Sequence, residues 1–151
     1  GKEFSGGVVQ IMHLMEGLRR ENYADQALVC PPSCAVSLEF QKRGFRVIPL
    51  GMFQDYDLIA AYKLSRIIKE TNASIVHAHH PTAHAVALIA RHLRKFHLVV
   101  SRRVTHRTPW YPTSIWKYRS AKNEKIICVS KSCVPMRGIS MSCWWKNCHP
   151  R

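Results

Sequence analysis

The sequence predicts an α/β fold, a parallel sheet with helices on both faces. Short apolar runs alternate with amphipathic stretches through most of the chain, the pattern of strands joined by crossover helices. Residues 74–103, SIVHAHHPTAHAVALIARHLRKFHLVVSRR, read strand, helix, strand within one such unit. A length of 151 residues with 46% hydrophobic and 21% charged side chains fits about one soluble domain with its own core.

Taken in order, residues 1–7 (GKEFSGG) predict a loop, with Ser5 as the cap of a helix over 8–20. That helix places Val8, Ile11, Met12, Met15 and Leu18 on one face. Gly6 and Gly7 precede it, and paired glycines there let a ligand approach a helix N-terminus closely. Residues 26–30 form a strand closed by Pro31 and Pro32. A short helix over 33–42 offers Val36, Leu38 and Phe40 to the core, and Arg43-Gly44 ends it. Residues 45–50 are the next strand. Asp55 or Asp57 caps a helix to about Thr71, buried through Leu58, Ala61, Tyr62, Ser65 and Ile68.

The 74–103 unit follows. Its first strand, 74–80, runs into His77, His79, His80 and Pro81. The helix over 82–93 buries Ala83, Val86, Ala87, Ala90 and Leu93, leaving His84 and His92 solvated. Its second strand, 97–101, ends at Arg102 and Arg103. Parallel strands point the same way, so histidines and arginines emerge on the carboxyl edge, where open α/β sheets bind ligands. His77 reads as a core or strand-face histidine, and His79 and His80 either as lining of that edge or as ordinary loop residues. Residues 104–112 read as a loop, 113–121 as a short helix and 125–130 as a buried strand. No apolar run precedes Gly6, so the expected sheet lacks its first strand.

Lys+Arg 23 against Asp+Glu 9 give a formal charge of +14, which favours anionic partners. The basic residues are spread along the chain, with clusters at Arg19 and Arg20, Lys42 and Arg43, 91–95 and 102–107. No helix-turn-helix, RNA-recognition or paired zinc motif accompanies them, which counts against nucleic acid. The six cysteines form no disulfide framework, Cys30 and Cys128 reading as buried free thiols, so a reducing, cytoplasmic setting is expected. No stretch reaches the roughly 18 apolar residues of a membrane span, and no signal-peptide pattern opens the chain. Residues 131–151 hold Cys133, Cys143, Cys148 and His149 at spacings without a C-x-x-C pair, so no metal is expected. Their lack of either period suggests a tail that is out of frame or vector-derived.

Four segments, SGGVVQIMHLMEGLRRENY, GFRVIPL, SIVHAHHPTAHAVALIAR and KIICVSKS, occur in an order that resembles the N-terminal domain of GT-B glycosyltransferases, family 4 in particular. The resemblance implies a Rossmann-like, acceptor-side domain over 1–131, incomplete at its start, followed by a tail over 132–151. It implies sugar transfer from a nucleotide-sugar, a co-substrate and not a cofactor, in a cell-envelope, lipid or polysaccharide pathway. Gly6 and Gly7 then approach the donor phosphates and sugar. Arg102 and Arg103 face a phosphorylated, lipid-linked or saccharide acceptor, and His79 and His80 are the catalytic candidates. Many members carry a histidine where this chain has Arg102-Arg103. The family's donor domain has no counterpart in the sequence, so the chain alone is expected to be inactive. Basic helix faces suggest a peripheral position on the inner, anionic membrane face. Unpaired strand edges predict self-association. The competing reading is a small basic module that binds anionic lipid or nucleic acid.

Overall fold

The computed structural model describes residues 6–23, 25–102 and 125–128. In chain order these form α1 (Gly6–Arg20), β1 (Ala27–Cys30), α2 (Ala35–Lys42), β2 (Arg46–Pro49), α3 (Leu58–Glu70), β3 (Ile75–Ala78), α4 (Pro81–Leu93), β4 (His97–Arg102) and β5 (Lys125–Cys128). The chain divides into two units, Gly1–Gly51 and Met52–Arg151. Ser5, Arg103, the 104–112 loop, the 113–121 helix and the 131–151 tail lie outside the described residues.

In the first unit β1 and β2 pair in parallel, Ala27 opposite Arg46 through Cys30 opposite Pro49, with α2 as the crossover. Met12, Met15, Phe40 and Phe45 form its core, with Val8, Ile11, Leu28, Val36 and Val47 packed around them. The Phe40 and Phe45 rings lie 5.8 Å apart, tilted by 47°. Two expected core residues are exposed. Leu38 sits two positions from both Val36 and Phe40, about 200° around a helix, so α2 cannot bury all three. At the end of α1 the Phe45 ring is covered by Arg19, its guanidinium carbon 3.9 Å from the ring centroid, and Leu18 stays exposed. The helix also starts earlier than expected, with Gly6 and Gly7 as its first turn and not a preceding loop.

In the second unit β3, β4 and β5 form a parallel sheet in that order. Helix α4 is the β3-to-β4 crossover and is buried nearly all round, from His84 to Leu88 and at Ala90. His84 is 2% exposed, against the expectation of a solvated residue, and Leu93 at the helix end is exposed instead of buried. Helix α3 packs against α4 through Ala60, Ala61, Leu64, Ser65 and Ile68. The expected face was rotated: Leu58 and Tyr62 are exposed together with Ile59. Small side chains at 60 and 61 allow close helix approach, which the larger Leu58 and Tyr62 would prevent. Asp57 caps α3, its carboxylate accepting the Ala60 N–H at 2.8 Å.

Three helices end in one way. Asn22, Gly44 and Asn72 have left-handed φ of 64°, 75° and 49°. The next residue in each case donates its N–H five residues back: Tyr23 to Leu18 (2.9 Å), Phe45 to Phe40 (3.0 Å) and Ala73 to Ile68 (3.1 Å). This turn satisfies carbonyls that the helix leaves unpaired and aims the chain toward the next strand.

Candidate functional site

The second unit carries a polar cluster at the carboxyl edge of its sheet. His77 stands opposite Val99 in the β3–β4 register, and Ser101 lies two residues further along β4, on the same face. Their side chains meet: His77 Nε2 and Ser101 Oγ are 2.8 Å apart and hydrogen-bonded. The His79 ring lies 4.0 Å from that of His77, the two planes tilted by 33°. All three side chains are half-buried, held by the sheet but reachable from its edge.

His80 has a different task. It is the N-cap of α4, with extended backbone angles, and Pro81 fills the first helical position. His80 Nδ1 accepts the Thr82 N–H at 3.3 Å. An imidazole that accepts at Nδ1 carries its proton, when neutral, on Nε2. The cap therefore fixes the tautomer of an exposed histidine, leaving Nε2–H as its remaining polar group. The positive end of the α4 dipole opens beside it, with no acidic residue in the first turn. Such an edge can orient hydroxyl groups and favour an anion.

The predicted residues fall out as follows. His77, His79 and His80 come together at this edge. Arg102 is the last residue of β4, opposite Cys128 of β5, at the same edge, and Arg103 is outside the described residues. Gly6 and Gly7 belong to the first unit, at the start of α1, where a Cβ on Gly6 would meet nothing within 4 Å. Packing does not require a glycine at position 6. Ser101 was missed, because a serine at a strand end gains meaning only once the register places it beside His77. Cys34 was also missed as a cap: its sulfur accepts the Ser37 N–H at 3.4 Å at the start of α2.

Among the described residues no group of three or more histidine, cysteine or acidic side chains is placed to hold a metal ion. The Cys133, Cys143, Cys148 and His149 set lies outside them. No helix among the described residues is long and apolar enough to cross a membrane.

None of the curated proteins matches this sequence. Among solved structures, the crystal structure of Acinetobacter baumannii MurG superposes with a TM-score of 0.65 at 11% identity. The match covers 87% of this chain and 40% of the MurG chain, so the present sequence spans less than half of that protein. At this identity the likeness speaks for the fold, a mixed α/β, Rossmann-like GT-B domain. The model of the glycosyl transferase 4-like domain matches residues 5–124, most of the sequence. The chain belongs to the glycosyl transferase 4-like domain family.

Proposed function

We propose that this chain is the acceptor-side domain of a GT-B glycosyltransferase, which works with a nucleotide-sugar as co-substrate. Membership of the glycosyl transferase 4-like family supports sugar transfer. The observation that carries the acceptor assignment is the histidine cluster, with His80 tautomerically fixed at the mouth of α4 and His77 tied to Ser101. In this reading His79 and His80 orient the acceptor hydroxyl, and Arg102 and Arg103 hold a phosphorylated, lipid-linked or saccharide acceptor through their forked donors. Gly6 and Gly7, at the N-terminus of α1, approach the donor diphosphate, whose developing charge a helix dipole stabilises. The domain spans 1–131, with 132–151 as a tail. In this reading the nucleotide-sugar is gripped by a separate donor-binding domain, and the acceptor-side residues alone are inactive. Its reaction belongs to cell-envelope, lipid or polysaccharide synthesis.

A peripheral position on an anionic, cytoplasmic membrane face fits the outer side of α3. Leu58, Ile59 and Tyr62 are exposed there, and Lys63, Arg66 and Lys69 share that side. Apolar side chains flanked by cations suit the headgroup region of acidic lipid. Co-sedimentation with vesicles of phosphatidylcholine alone or with added phosphatidylglycerol tests this: binding should need the acidic lipid, and Tyr62→Glu should abolish it.

The central test is a titration of the chain with a short polyprenyl phosphate, followed by the imidazole resonances of His79 and His80. Both should shift saturably, and Arg102→Ala should weaken binding about tenfold, the order of one charge-assisted contact. Nucleotide-sugar turnover by the chain alone would overturn the assignment to one half of an enzyme. Unmoved histidine resonances at saturation would remove the acceptor edge.

A further inference from the structure

At the carboxyl end of β1 two cysteines face each other. Cys30 closes the strand and Cys34 caps α2, and their sulfurs lie 3.8 Å apart. The backbone imposes this meeting. Pro31 and Pro32 have restricted φ, and Ser33 takes a left-handed φ of 55°, turning the chain back so that Cys34 returns to Cys30. Both ends are anchored: the Cys30 carbonyl accepts the Leu50 N–H at 2.8 Å, and the Cys34 carbonyl accepts the Ser37 hydroxyl at 2.8 Å. Both thiols are free and half-buried. A cleft of about 300 Å³, lined by residues that include Pro31, Ser33, Ser37 and Gln41, flanks the loop.

We propose that Cys30 and Cys34 form a dithiol modification site that reacts with low-molecular-weight disulfides and closes to an internal disulfide. It stands apart from the acceptor reading and uses none of its residues. The two sulfurs have divided roles. Burial opposes ionisation of Cys34, but hydrogen bonds from the Ser37 N–H and the Cys30 thiol outweigh it and lower its pKa. Burial, together with the neighbouring Cys34, pushes the Cys30 thiol up to about 12. Cys34 is therefore the attacking thiolate and Cys30 the resolving thiol.

The exchange balances in two steps. The Cys34 thiolate attacks one sulfur of the external disulfide RSSR, forming a Cys34–SR bond and releasing RS⁻. Cys30 then gives its proton to that thiolate or to water and attacks the Cys34 sulfur, releasing the second RS⁻. Two protein thiols are oxidised, one external disulfide is reduced to two thiols, and no other oxidant is needed. The product makes the sulfur that caps α2 one half of a disulfide.

The test uses the full chain, oxidised glutathione at neutral pH, alkylation of the remaining thiols and tryptic mapping. Residues 21–42 form one tryptic peptide with both cysteines. It should appear unalkylated and lighter by two hydrogens than its reduced form. Cys30→Ser should trap glutathione on Cys34, and Cys34→Ser should leave Cys30 unmodified. Three results would overturn the proposal: stable glutathione on Cys34 in the unaltered chain, alkylation of both cysteines, or bonds from either to Cys128, Cys133, Cys143 or Cys148. If Cys30→Ser does not fold, the map of the unaltered chain still decides.

Discussion

Replacing His80 by aspartate should make the protein more stable and its acceptor edge worse. The imidazole is a weak cap: its contact with the Thr82 N–H is long, at 3.3 Å, and His80 is exposed. Aspartate is among the best N-caps, and a capping side chain contributes about 1 kcal/mol when it replaces a poor one. The first turn of α4 has no acidic residue to meet the helix dipole, so a carboxylate there adds ~0.3–1 kcal/mol. Allowing for the cap that histidine already supplies, the net gain is about 1 kcal/mol. For a chain of this length that raises the melting temperature by about 2–4 °C. Thermal unfolding followed by circular dichroism reads the shift, and polyprenyl phosphate titration reads the edge, where a roughly tenfold loss is expected. A fall in melting temperature would refute the capping argument. A rise with undiminished binding would falsify the claim that His80 serves the acceptor.

Other perturbations separate core from edge. Phe40→Ala empties a fully buried position between Met12, Met15 and Phe45 and should cost about 3–5 kcal/mol, read as a lower urea midpoint, while the His77 resonances stay in place. Ser101→Ala removes the partner of His77 and should cost about 1 kcal/mol, with the His77 ring resonances displaced; unchanged resonances would mean that the 2.8 Å contact is not made in solution. The cysteines should alkylate in order. Burial and the neighbouring Cys34 push Cys30 up to about 12, while Cys34, despite its own burial, is lowered by hydrogen bonds from Ser37 and Cys30, so Cys34 holds the larger thiolate fraction. Even after the weaker nucleophilicity of the more acidic thiol, Cys34 should react faster than Cys30 at neutral pH. The same shifts set the sign of pH dependence. The raised Cys30 pKa stabilises the fold below pH 9.0 and loses that effect as pH rises toward about 12. The lowered Cys34 pKa stabilises it above 9.0 and loses that as pH falls through the folded value, so equal alkylation rates would contradict both assignments.

Strands were legible because parallel strands are short apolar runs, and VVS, VIP and IVHA announce themselves without any knowledge of partners. Helix faces were less so. In α3 two faces compete, one with Leu58, Ile59 and Tyr62 and one with Ala60, Ala61, Leu64, Ser65 and Ile68. Hydrophobicity favours neither, and close packing on α4 selects the smaller residues. His84 was misread for the opposite reason: its polarity suggested solvent, whereas the middle of α4, from His84 to Leu88, is buried. At the site, His79 and His80 could be found from a strand running into Pro81. Ser101 needed the β3–β4 register, and the Cys30–Cys34 meeting needed the backbone of Ser33, which residue types do not encode.

The first unit also alters what the net charge means. Arg43 binds Glu39 at 2.8 Å and Glu16 at 2.7 Å, and its carbonyl accepts a hydrogen bond from Arg19, whose guanidinium covers Phe45. Two of the basic clusters thus contribute arginines to a knot that joins the ends of α1 and α2, where the Arg43 fork reaches both carboxylates from separate nitrogens. A tally of cations overstates the attraction felt by an approaching anion. The ionic-strength dependence of lipid or phosphate binding should therefore be shallower than +14 suggests, and its slope counts the cations that the fold has left for a ligand.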